Sequence, residues 1–394
     1  MRILFFVVFV ELIGFGVIIP LLPFYGEHFQ ASPAVVGLLM ASYSLAQFIT
    51  APLWGQLSDR VGRRPVLLVS LAGAATSYVA LAFAGHLWVL FAARIFGGGM
   101  AGGITAAFAY AADVSTPANR AKAMGVVGAA FGIGFVFGPA IGGILAGSDP
   151  ATADFTSPAL VAGALSTTAF LLTLFVLPES LTPERRAARG EAGAIGRMRA
   201  FRLALGRPML LRLIALMFLS TFVFAGMETT FAMWSRREFG WGPEQNGYLF
   251  ALVGIVSAFV QGGLVGRLAR RVGEIRLVAI GAALLALGMF GIPLSPHLAL
   301  LIPAVAAAAL GFGLLTPSLN SLVSLQAASG MQGGMMGVAR SATTLARVLG
   351  PTFAGLIFQY FGRQAPFLVG AAIMVGVVVV AHTTVPRSVA AEGN

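Results

Sequence analysis

Gly55-Gln56-Leu57-Ser58-Asp59-Arg60-Val61-Gly62-Arg63-Arg64-Pro65 is a short, strongly charged stretch set between two long apolar runs, Val35–Trp54 and Val66–Ala84. It reads as a loop joining two membrane-length segments. A distant stretch echoes it: Gly266-Arg267-Leu268-Ala269-Arg270-Arg271-Val272-Gly273 repeats its Gly, Leu, Arg, Val and Gly at an offset of 211 residues. Gly138-Pro139 recurs as Gly350-Pro351, and Gly125 as Gly337, at an offset of 212. Repeats at this spacing mark two related halves, the way many membrane transporters are built.

Composition agrees. The chain is 58% hydrophobic and 10% charged, whereas soluble domains carry roughly a quarter charged residues. A membrane span needs about 20 predominantly apolar residues, and 394 residues leave room for twelve with short loops. The expected spans are 3–24, 33–54, 66–85, 87–111, 122–147 and 157–177, then 209–233, 243–266, 276–294, 297–323, 333–358 and 365–385. The fold class is therefore an all-α membrane protein, with a six-helix bundle over 1–177, a linker over 178–208 and a second six-helix bundle over 209–394. The first run is too long for a signal-peptide core and carries Glu11, so it reads as a retained span. Arginines alternate with Met198, Phe201, Leu203 and Leu205 in the linker, which suits either an amphipathic surface helix or a solvated tether.

The net charge of +11 suggests nucleic acid only until its distribution is read. With the N-terminus inside, 19 of the 25 Lys and Arg fall on the cytoplasmic side, as the positive-inside rule requires. Both termini are expected in the cytoplasm of a bacterium, with the body in its inner membrane. No cysteine is present, so disulfides and thiolate metal sites are excluded. None of the four histidines falls in a metal-like cluster, and no metal or cofactor is expected beyond a proton gradient.

The stretch Gly55-x-Leu57-x-Asp59-Arg60-x-Gly62-Arg63-Arg64 resembles the signature between spans 2 and 3 of the major facilitator superfamily. Gly134-x-x-x-Gly138-Pro139-x-x-Gly142-Gly143 is similar to the fifth-span motif of its drug:proton antiporters, and Gly14-x5-Pro20-x-x-Pro23 to their first-span motif. Order and spacing match over nearly the whole chain, most closely for bacterial tetracycline-type exporters. The resemblance implies a major facilitator fold, multidrug or tetracycline resistance-like efflux, and alternating access coupled to protons. It implies that Asp59 faces the positive end of span 11 and that Arg63 reaches Asp113. With Gly55, these residues would latch the two halves on the inside. It also implies that Gly134, Gly138, Pro139, Gly142 and Gly143 seal one conformation against leak.

Ionisable groups within a membrane are costly and mark function by default. Five lie within expected spans and away from their ends: Glu11, Arg94, Glu228, Arg340 and Arg347. Burial disfavours a carboxyl's charged form and a nearby arginine favours it. A carboxyl whose surroundings alternate can therefore load a proton on one side and release it on the other. Glu11, Arg94 and Glu228 are the proton-coupling candidates. For Glu11 the alternative is a fixed ion pair with Arg94, and for Arg94 a static brace. Glu228 departs from the tetracycline exporters, which puts tetracycline itself in question. Phe15, Tyr43, Gln47, Phe224, Phe231, Asn320 and Arg340 are candidates for the substrate wall, since an apolar, aromatic cavity with few polar anchors suits amphipathic molecules.

The functional expectation is a monomeric, proton-coupled antiporter exporting amphipathic drug-like small molecules. It works in membrane lipid without nucleic acid. An organic-anion or sugar-derivative transporter of the same fold is the alternative, because arginines outnumber acids among the embedded charges. A non-transporting receptor on this fold would have no need for Glu11 and Glu228. No nucleophile–base set or phosphate loop suggests an enzyme.

Overall fold

The computed structural model describes residues 2–116, 119–181, 206–326 and 332–384. Among these residues every regular element is helical. Span 1 runs through Arg2–Ile18, a single 3-10 turn and Leu22–His28; spans 2 and 3 are Pro33–Val61 and Arg63–Ala82. Span 4 is Leu87–Gly99 plus Gly103–Asp113, span 5 is Arg120–Ala146 and span 6 is Thr156–Phe175. Spans 7 to 9 are Pro208–Phe239, Pro243–Val272 and Glu274–Leu294. Spans 10 to 12 are Leu298–Gln326, Gln332–Phe361 and Ala365–Thr384. The expected amphipathic helix of the linker lies outside the described residues.

Eleven of these segments are long and apolar enough to cross a membrane. The twelfth, Gln332–Phe361, has 30 residues, about 45 Å of helix, and is long enough. Its hydropathy is diluted by Arg340, Ser341, Thr343, Thr344 and Arg347.

Two expectations are corrected here. The charged stretch after Trp54 is not a loop, because span 2 stays helical to Val61 and the turn into span 3 is made by Gly62 at φ 114°. A left-handed residue without Cβ ends one helix and starts the next within a single position. Spans 4 and 8 are also not continuous. Span 4 breaks at Met100–Gly102, and span 8 loosens into a π turn over Val260–Leu264.

The buried apolar core falls into clusters drawn almost entirely from spans 1–6 or from spans 7–12. Between the two groups, span 5 packs on span 8 and span 2 on span 11. The packing is symmetric in its chemistry. Gly247 of span 8 lies against the Pro139 carbonyl of span 5, and Gly37 of span 2 lies against the Pro351 carbonyl of span 11. Without side chains in the way, the backbones approach as closely as small residues allow in lipid. Pro139 also leaves the Phe135 carbonyl without its helical donor, and Gly254 packs directly on that carbonyl.

Candidate functional site

Both embedded groups of spans 1–4 lie on one patch. Glu11 packs beside Ser70 and Gly103; a Cβ on Gly103 would stand 3.2 Å from Glu11 Oε1. Glu11 Oε2 is buried without a hydrogen-bond partner. One turn along span 1, the Phe15 ring lies 5.5 Å from the Tyr43 ring. Arg94 rests its guanidinium over that same tyrosine, 4.3 Å from the centroid, with Nε unbonded. Among the described residues Glu11 and Arg94 form no ion pair, so the fixed-pair alternative does not hold in this conformation.

The break in span 4 shapes this patch. Interrupting a helix frees backbone groups that lipid cannot satisfy. Trp54 Nε1 donates to the Gly99 carbonyl at 2.7 Å. The Ser70 hydroxyl donates to the Met100 carbonyl at 2.6 Å and accepts from Gly102 N–H at 2.9 Å. Bracketed this way, the second half-helix starts at Gly103 against Glu11, presenting the partly positive end of its dipole toward a carboxyl group. Neither Ser70 nor Trp54 was legible as functional, because neither is charged and each acts on backbone far away in sequence.

Spans 7 and 11 hold the second pair. Glu228 Oε2 lies 3.8 Å from Arg347 Nη1, a spacing that is electrostatic contact without a hydrogen bond. Arg347 thus lies beside an acid of its own group of spans. Phe224 stacks on Phe312, centroids 4.0 Å apart. Phe231 is 2% exposed and packs among Trp234 and Phe250 in this conformation. Gln47 and Asn320 are half-buried and carry no side-chain hydrogen bond among the described residues. Arg340 of span 11 is exposed, with its guanidinium 4.7 Å from the Phe108 ring of span 4.

The signature residues form one knot at the arginine-rich end. Arg63, 2% exposed, donates Nε to Asp113 at 2.9 Å and Nη1 to Asp59 at 2.8 Å and Ser58 at 2.9 Å. Glu179, just past span 6, accepts from the N–H groups of Arg63 and Arg64 at 2.9 and 3.0 Å and caps span 3. All of these residues belong to spans 1–6 or their tail. Among the described residues Asp59 pairs with Arg63; the segment that leads into span 11, where the expected contact would fall, lies outside the described residues. Gly55 lies half-buried one turn before Asp59.

Ion pairs between the two groups of spans occur, among the described residues, at the opposite end. Glu27, ending span 1, meets Arg236 at 3.0 Å and Arg237 at 2.7 Å, which end span 7. The antiporter-motif glycines pack from mid-span toward the same end. Gly134, Gly138 and Gly142 lie against Leu12, Gly16 and Val17 of span 1, and Gly143 lies against Pro243 of span 8. Glu27 and the arginine pair escaped sequence reasoning. The available signal was Arg236-Arg237 on the side where the charge rule allows few cations.

A symmetric helical bundle, charges confined to its middle and its ends, and glycine seams between two groups of spans define a membrane transport protein. The Major Facilitator Superfamily model matches residues 4–351, and the chain belongs to that superfamily. It is 32% identical over 353 residues to the class C tetracycline resistance protein of Escherichia coli, covering 88% of this chain and 87% of that one. To multidrug resistance protein 2 of Bacillus subtilis it is 30% identical, covering 93% and 90%. The crystal structure of the human organic anion transporter MFSD10 superposes with a TM-score of 0.73 at 28% identity, covering 96% of this chain and 98% of that one. These relatives are transporters, not enzymes.

Proposed function

We propose that the chain is a proton-coupled antiporter that exports amphipathic drug-like molecules across a bacterial inner membrane by alternating access. In this reading the arginine-rich end faces the cytoplasm, and the Glu27 clasp joins the two groups of spans on the outer side. The observation carrying the reading is Glu11: a membrane carboxyl with an unbonded oxygen, beside a helix break and on one wall with Arg94. Such a group can hold a proton here and yield it when its surroundings change. The efflux relatives support the same reading.

The test is dye efflux from proteoliposomes under an imposed pH gradient. Accumulation that follows the gradient and collapses with a protonophore supports antiport; gradient-independent flux, or none, sinks it. A second reading, organic-anion transport, is favoured by the exposed Arg340 and by the MFSD10 relative.

A further inference from the structure

We infer that Arg340 and Phe108 form a subsite for an amphipathic oxyanion, meaning a carboxylate, sulfonate or phosphate head on an apolar body. Among the embedded cations of the described residues, Arg347 has Glu228 within 3.8 Å and Arg94 is buried against Tyr43. Arg340 is both exposed and without a carboxylate partner. It lies eight residues into span 11, about 12 Å along the axis from Gln332. A guanidinium at that depth is costly unless something accepts from it.

No group of its own helix accepts from the guanidinium among the described residues. Ser341 donates to the Gly337 carbonyl, and Thr343 and Thr344 both donate to the Arg340 carbonyl. Phe108 covers one face of the guanidinium, which leaves the in-plane N–H edge free; that edge is the geometry that grips an oxyanion in two places. The ring beside it offers an apolar surface for the rest of the molecule. Arg340 belongs to span 11 and Phe108 to span 4, so one ligand would touch both groups of spans and be released when they separate.

The subsite deepens the transport reading by naming a substrate class, and its test is equilibrium binding, which is independent of flux. The purified full-length chain in phosphatidylcholine nanodiscs is titrated with dansylglycine and, separately, with its uncharged amide. Arg340→Ala should weaken dansylglycine at least tenfold and the amide less than twofold. Arg340→Lys should fall between, and Phe108→Ala should weaken both probes. Retained amide binding shows that the variant is folded. Displacement of dansylglycine by phosphatidylglycerol in the disc would assign the site to a lipid phosphate; persistence would assign it to a soluble anion. Absent binding by the unmodified chain, or equal loss of both probes in Arg340→Ala, overturns the subsite. Failed gradient-driven efflux with binding intact would overturn the antiport reading alone.

Discussion

Glu27 grips Arg237 across the boundary between the two groups of spans, Oε1 to Nη1 at 2.7 Å, while its other oxygen holds Arg236 at 3.0 Å. The carboxylate is 7% exposed, so solvent screens this clasp less than an open surface pair. Glu27→Gln should release it. A loss of about 1–2 kcal/mol changes a balanced ratio of states about 5- to 30-fold. Cysteines placed on the outer rim of this cysteine-free chain should then label faster. Unchanged labelling would leave the clasp without a gating role.

Glu11→Gln should abolish uptake driven by a pH gradient while leaving exchange between equal substrate pools largely intact. The glutamine keeps the shape beside Gly103 and cannot cycle a proton. Gradient-driven accumulation at the unmodified rate would remove Glu11 from coupling.

Ser70→Ala leaves Gly102 N–H and the Met100 carbonyl without the hydroxyl that bridges them. Each unsatisfied buried group costs about 1–3 kcal/mol. Relaxation of the break would also move Gly103 relative to Glu11. The expected result is a shifted pH profile of transport, rescued in part by Ser70→Thr. A loss of stability with no movement of the pH profile would make Ser70 purely structural.

Arg63→Ala strips the guanidinium from Asp113, whose side chain is 2% exposed. Breaking a buried pair by removing one partner costs about 3–5 kcal/mol. Thermal unfolding in detergent should show it, and Asp113→Asn combined with Arg63→Ala should recover part of the loss. A single variant as stable as the parent would contradict the packing described.

Gly138→Ala puts a Cβ 2.7 Å from the Gly16 backbone. Spans 1 and 5 must part, and overpacking of this kind costs about 1–3 kcal/mol. Lower thermal stability together with proton leak through liposomes is expected. A tight, stable variant would show that the seam is not a seal.

Much was legible in order along the chain. Apolar runs about 20 residues long can only be spans in a chain this poor in charge, and their count, the two-fold repeat and the glycine motifs follow from local pattern. The depth of Glu11, Arg94, Glu228, Arg340 and Arg347 was legible for the same reason, because hydropathy reports distance from water. What faces what was not. That Gly62 alone turns span 2 into span 3 depended on a φ angle. That Phe231 is core, that Arg347 serves Glu228, that Asp59 turns to Arg63 and that Glu27 clasps two arginines all depended on packing between distant segments. A helical pattern says that a side chain avoids water or seeks it, but its partner is chosen by how the helices close upon one another, and only the tertiary structure carries that choice.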